Sequence, residues 1–65
     1  MTRNKAWKVW FQELAKQDNW IEAGIAWDRA VGAAIQHGHK ENPENWPGFG
    51  QTAYYELESL VGEKD

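Results

Sequence analysis

Apolar side chains recur at helical spacing near the start of the chain. At 100° of rotation per residue, the side chains of Trp7, Trp10, Phe11 and Leu14 share one arc of about 100°. Lysines and a glutamine occupy the opposite side, which makes the segment an amphipathic helix with one aromatic and one basic face. The pattern predicts a first helix over residues 3–17.

A second helical pattern follows Asn19. With Asn19 as N-cap and Glu22 three residues later, the sequence has the spacing of a capping box, in which each side chain binds the other residue's backbone N–H. The pattern predicts a second helix over residues 20–37, with apolar residues in two stripes. The broad stripe contains Trp20, Ala23, Gly24, Trp27, Ala30, Val31, Ala34 and Ile35, and the second contains Ile21, Ile25 and Gly32. Apolar residues on two sides are typical of the middle helix of a bundle, so we expect this helix to lie between the other two.

The stretch after the second helix is predicted to be a loop. Gly38 stands where a glycine in the left-handed conformation commonly ends a helix. The residues that follow it, HKENPENWPGFG, contain two prolines, two glycines and two asparagines. Such a composition is typical of irregular structure. The sequence therefore predicts a loop over residues 38–51, which contains Trp46 and Phe49.

The last apolar pattern predicts a third helix over residues 52–61, begun by Thr52 and ended by Gly62. Together the three patterns predict an all-α, three-helix domain over residues 1–65, with a long aromatic-containing loop between helices 2 and 3. We expect the first two helices to form an antiparallel hairpin whose open end is crossed by the loop. The basic face of the first helix would then lie near the acidic third helix.

The composition of the chain indicates how so short a domain builds a core. A chain of 65 residues is near the lower limit for folding unaided, and it has no cysteine for a disulfide or a thiolate zinc site. It does have five tryptophans. Because each large aromatic ring buries about 150–250 Å², we predict a core built from indole rings of several helical turns.

Charge is unevenly distributed along the chain. Residues 1–16 carry four basic side chains and one acidic, whereas residues 17–65 carry three basic and nine acidic ones. This asymmetry favours attraction between the two parts, or an acidic surface that meets a basic partner. The chain shows neither an export signal nor an apolar run of the ~20 residues that a membrane span needs. We expect a cytoplasmic protein without a membrane partner, in the host cytoplasm if a phage encodes it.

Candidate catalytic and metal-binding residues are few. The one cluster whose spacing resembles a metal site consists of His37, His39, Glu41 and Glu44. Because histidines are common in polar loops after a helix, we predict no bound metal there. Ser59 has no histidine near it in the sequence, and no glycine-rich phosphate loop follows a strand pattern. The sequence therefore predicts a protein that is not an enzyme and holds no cofactor.

The basic face of the first helix leaves nucleic-acid binding open as an alternative. The run KVWFQ at residues 8–12 resembles part of the homeodomain recognition helix, but it continues with ELA in place of the asparagine and arginines that read DNA. We do not infer that family from five residues. Basic side chains can still contact phosphates, so a role as a nucleic-acid-binding accessory protein is retained. The candidates are Arg3, Lys5, Lys8 and Lys16.

The loop aromatics and the outer helix faces are candidate surfaces for a protein partner. Tryptophan and tyrosine are enriched at interface hot spots, and an apolar stripe left outside the core marks an interaction surface. The loop aromatics either cap the core or anchor a partner. The predicted partner-binding residues are Trp46, Phe49, Tyr55, Ile21, Ile25, Glu56 and Glu58.

These observations favour a small non-enzymatic module that binds another protein and blocks it sterically. Its size and acidic balance resemble those of the small inhibitor proteins of phages and mobile elements, including anti-CRISPR-type and host-takeover inhibitors. That likeness rests on size and charge, and no motif carries a family assignment. A self-associating structural module, a homodimer formed through Ile21 and Ile25, is a further alternative.

Overall fold

The computed structural model describes the backbone of residues 3–64 and the side chains of residues 5–63. This part of the chain contains three α-helices and no strand: α1 (Arg3–Ala15), α2 (Trp20–Gln36) and α3 (Phe49–Lys64). A short 3-10 turn, Pro43–Asn45, lies between α2 and α3. The prediction of an all-α, three-helix fold is confirmed, and the first helix ends two residues earlier than the predicted boundary at residue 17.

The turn between α1 and α2 differs from the predicted capping box. Asn19 is buried, but its side chain makes no hydrogen bond to the start of α2. Its Nδ2 donates instead to the carbonyl oxygen of Leu14 at 2.9 Å. The last carbonyls of a helix lack partners within the helix, and a buried amide that satisfies one of them stabilises the turn. The capping-box prediction is therefore wrong because the end of α1 competes with the start of α2 for the same side chain.

The end of α2 matches the sequence prediction. Gly38 has a φ of 93°, in the left-handed region that glycine adopts without a Cβ penalty. Its N–H donates to the carbonyl oxygen of Ile35 at 3.0 Å. The N–H of His39 donates to the carbonyl oxygen of Ala34, also at 3.0 Å. This pair of bonds is the Schellman arrangement, which satisfies the final carbonyls of a helix. Gly38 therefore ends α2 as predicted.

The segment between α2 and α3 is shorter and more ordered than the predicted loop over residues 38–51. Helix α3 begins at Phe49 instead of Thr52, and it continues past Gly62 to Lys64. The buried ring of Phe49 anchors the first turn to the core, so the helix starts where that anchor lies. A glycine inside a helix costs only about 1 kcal/mol relative to alanine, which explains why Gly62 does not end the helix.

The helix at the centre of the packing is α3. It packs extensively against both α1 and α2, whereas α1 and α2 contact each other at few places. The prediction that α2 lies in the middle is therefore wrong. The second apolar stripe of α2, which suggested that position, faces solvent, as the exposure of Ile21 and Ile25 shows.

The core is built mainly from alanines and three large side chains, two phenylalanines and a leucine, rather than from indoles. The alanines of α2 let α3 approach closely, and Phe49 and Leu57 of α3 fill the space between the helices. Trp27 and Trp46 pack against this core without being fully buried, and Trp20 is 63% exposed. The prediction of an indole core is therefore wrong. The buried residues are Phe11, Ala15, Ala23, Ala26, Ala30, Ala34, Phe49, Ala53 and Leu57.

Candidate functional site

Four aromatic side chains from α1 and α3 meet at the surface. The ring of Trp7 contacts three neighbours: Trp10 with centroids 4.7 Å apart, Tyr55 at 5.2 Å and Tyr54 at 5.4 Å. The Trp7 and Trp10 rings are nearly perpendicular, at 83°. Edge-to-face and tilted pairs of this kind are favourable beyond the area they bury. We call Trp7, Trp10, Tyr54 and Tyr55 the aromatic quartet.

The aromatic quartet is half open to solvent. Trp10 is 49% exposed and Tyr55 is 50% exposed, whereas Trp7 and Tyr54 are half-buried beneath them. The exposed rings are therefore held in place by the half-buried ones. Trp10 lies at the edge of the apolar arc of α1, where the helical pattern alone places it in the core. The sequence predicted Tyr55 as a surface residue but missed the other three members, since periodicity does not show how far a neighbouring helix covers an edge position.

Glu58 adds a carboxylate beside the aromatic quartet. It lies one turn after Tyr54 on α3 and is exposed. Burial raises the pKa of Tyr54 above its ordinary value, and hydrogen bonding to Glu58 and the charge of that carboxylate raise it further. Glu56 lies on a different face of α3, where its Oε2 accepts a hydrogen bond from Arg29 Nη1 at 3.0 Å. The two predicted acidic residues therefore belong to different surfaces.

The predicted loop anchors occupy different environments. Phe49 is completely buried, so its ring caps the core from inside and presents no exposed area to a partner. Trp46 packs against the core, and its ring stacks on His37 with centroids 4.8 Å apart and planes 15° apart. A Cβ on Gly48 would lie 3.0 Å from the Trp46 ring, so the absence of a side chain there permits this packing.

The apolar stripe of α2 is a separate exposed surface. Ile21 is 79% exposed and Ile25 is 41% exposed. Both side chains lie on the side of α2 opposite its buried alanines. The aromatic quartet belongs to α1 and α3 instead. The structure therefore separates Ile21 and Ile25 from Tyr55, which the sequence placed in one candidate set.

The basic residues predicted to contact phosphates are dispersed. Lys8 Nζ donates to the carbonyl oxygen of Glu44 at 3.1 Å and lies 5.5 Å from the centre of the Phe49 ring. Lys16 forms an exposed ion pair with Glu13 at 3.7 Å, and Lys5 is exposed. The side chain of Arg3, the fourth predicted phosphate contact, lies outside the described residues. Lys8 therefore serves an internal contact, which ties α1 to the segment before α3.

Among the side chains of residues 5–63, no group of three or more histidine, aspartate or glutamate residues is arranged to hold a metal ion. His37, one of the two histidines in the predicted cluster, uses its ring to stack on Trp46. No helix in the described part of the chain is both long and apolar enough to cross a membrane.

Comparison of the chain with protein-family models, with curated proteins and with solved structures finds no match.

Proposed function

We propose that this protein is a non-enzymatic module that binds another protein through the aromatic quartet and Glu58. One observation carries the proposal: Trp10 and Tyr55 are half-exposed while their rings rest on half-buried aromatic neighbours. Tryptophan and tyrosine are the residue types most enriched at interface hot spots. An exposed group of this kind supports a docking surface more directly than the buried Phe49 does.

The mutual contacts within the aromatic quartet favour binding for an entropic reason. Ordering a mobile side chain at an interface costs roughly 0.5–1.5 kcal/mol. Trp10 is already restrained by its contacts with Trp7 and with Tyr54, at centroid distances of 4.7 Å and 6.3 Å. Much of this ordering cost is therefore met when the chain folds, and the surface is pre-organised for a partner.

The charge beside the aromatic quartet favours a basic partner surface. The carboxylate of Glu58 lies beside Tyr54 and is exposed. The chain as a whole carries a net charge of −3. Arginine and lysine can bind both the face of an aromatic ring and a neighbouring carboxylate. The partner would therefore present arginine or lysine side chains, and the bound module would act by covering that surface, as expected of a small steric inhibitor.

Affinity capture from nuclease-treated lysate tests the proposal. The immobilised chain is expected to retain a specific protein. Trp10→Ala and Tyr55→Ala should each lower the affinity for that protein at least ~30-fold and so reduce its recovery. Val9→Ala is the matched control, because Val9 is similarly exposed on α1 but lies on nearly the opposite side of the helix from Trp7. Equal recovery with all variants would contradict the proposal, and binding of nucleic acid alone before nuclease treatment would favour the alternative function.

The acidic part of the site has its own test. Glu58→Gln should slow association with the captured partner and reduce the salt dependence of the rate, because charges at the rim of an interface act mainly on encounter. Glu63→Gln removes the same charge from α3 without touching Tyr54 and serves as the control. An unchanged association rate for Glu58→Gln would remove the carboxylate from the site.

A further inference from the structure

We propose that a second copy of this chain packs antiparallel against the outer face of α2. This inference uses a different surface from the aromatic quartet and does not depend on the proposed function. The outer face consists of exposed residues spaced alternately four and three apart, the spacing of a helix-packing seam. Its residues are Ile21, Ile25, Asp28, Gly32 and Ile35.

Both glycines of α2 face open space. Gly24 and Gly32 are exposed inside the helix, and a Cβ added at either would meet nothing within 4 Å. Each costs the helix about 1 kcal/mol relative to alanine. Packing inside the protomer therefore does not require these glycines. They would instead allow another helix to approach closely, because the missing side chain leaves room for a side chain of that helix.

The order of residues makes the middle of the outer face complementary to itself. A two-fold axis between Asp28 and Arg29 places Ile25 opposite Gly32 of the partner subunit, so that a large side chain meets a notch. Arg29 borders the outer face on the side towards α3, and the same axis places Asp28 opposite Arg29 of the partner subunit. A symmetric dimer needs this reciprocity, because every contact occurs twice. One axis therefore pairs a large side chain with a glycine and an acidic residue with a basic one. A partner of unrelated sequence would not explain this coincidence, so we take a second copy of the chain as the occupant.

Asp28 at the centre of this face and Arg29 at its border are available for the interaction. Asp28 is exposed and forms no hydrogen bond or ion pair with the other described residues. The side chain of Arg29 is 54% exposed and uses Nη1 to donate to Glu56. Arginine carries five donors, so most of the guanidinium stays free for a second carboxylate. Two intermolecular Asp28–Arg29 pairs would neutralise the middle of the seam.

The length of the seam sets the strength of the dimer. Helix α2 has 17 residues, which at a rise of about 1.5 Å per residue makes it roughly 25 Å long. A single helix pair of this length buries less than the ~1,600 Å² of a standard interface. We therefore expect a weak dimer, with a dissociation constant on the order of micromolar or higher.

Sedimentation equilibrium over a range of concentrations tests the association. The wild-type chain should move from monomer to dimer, and Ile25→Glu should weaken the dimer at least ~100-fold. Val9→Glu places the same charge on a similarly exposed valine of α1 and should leave the equilibrium unchanged. Gly32→Leu should also prevent dimerisation while raising the thermal stability of the dilute monomer, since leucine favours the helix and meets open space. A wild-type chain that stays monomeric at millimolar concentration would overturn the proposal.

Cysteine cross-linking tests the antiparallel arrangement, because the chain has no cysteine of its own. In Asp28→Cys the two thiols would lie near the axis and form a disulfide readily. In Ile21→Cys they would lie about 22 Å apart along the helices, which is too far for a disulfide. Cross-linking at position 28 alone is the expected result. Equal cross-linking at both positions would indicate parallel helices and overturn the proposed axis.

Discussion

The ring of Phe49 packs edge-on against Trp27, with centroids 4.7 Å apart and planes 77° apart. This contact joins the first residue of α3 to the middle of α2 and buries the phenylalanine completely. Trp27 in turn lies against Phe11 of α1, with centroids 5.6 Å apart. A series of aromatic contacts, from Phe11 through Trp27 to Phe49, therefore connects all three helices, and it determines where α3 begins.

Phe49→Ala should destabilise the fold by about 3–5 kcal/mol, because it removes the largest fully buried side chain and leaves a cavity among three helices. Chemical denaturation followed by circular dichroism measures this loss. Tyr55→Ala should cost less than about 1 kcal/mol, since half of that side chain is already in solvent. A Phe49→Ala variant as stable as the Tyr55→Ala variant would contradict the proposed core.

Asn19 distinguishes between two roles that one residue can have in a turn. Its amide donates to the Leu14 carbonyl, so Asn19→Ala should cost about 1–3 kcal/mol by leaving a buried acceptor unsatisfied. Asn19→Asp should cost at least as much, because a carboxylate cannot donate and would lie against the negative end of α1. If Asn19 were mainly an N-cap, aspartate would replace it without loss. Thermal unfolding of both variants separates these outcomes, with Gln17→Ala as an exposed control nearby.

Tyr54 should make the fold sensitive to alkali. Burial, and then Glu58, raise its pKa above the ordinary value of 10.0. Because the folded pKa lies above the unfolded one, the stabilisation is fully present below about pH 10 and is lost as the pH rises through the folded pKa. The stability advantage of the wild type over Tyr54→Phe should therefore shrink at alkaline pH, as measured by denaturant titration at several pH values.

The contribution of Glu58 to this pKa can be separated from that of burial. In Glu58→Gln, the absorbance change of tyrosinate formation should move to lower pH, because the charge that opposes ionisation is gone. Glu63→Gln, elsewhere on α3, should leave the titration where it is. A Glu58→Gln curve that overlays the wild-type curve would show that burial alone raises the pKa of Tyr54.

The helical spacing of apolar and polar residues predicted the secondary structure of this protein well. Three helices, the left-handed glycine at Gly38 and the apolar stripe of Ile21 and Ile25 outside the main core were all predictable, because each depends on residues close together in the sequence. The start of α3 was not predictable, since Phe49 follows Pro47 and Gly48, which locally favour a loop. Only the distant contact with Trp27 makes a helical start favourable there.

The tertiary structure alone decided which helix lies at the centre and which aromatic rings reach the surface. Periodicity defines the faces of a helix, but it does not state which neighbour covers each face or how completely. Trp10 and Phe11 are adjacent in the sequence and lie at opposite edges of the same apolar arc, yet Phe11 is buried and Trp10 is half-exposed. The candidate binding surface arises from that difference, because a hot-spot residue must be both restrained by packing and open to a partner.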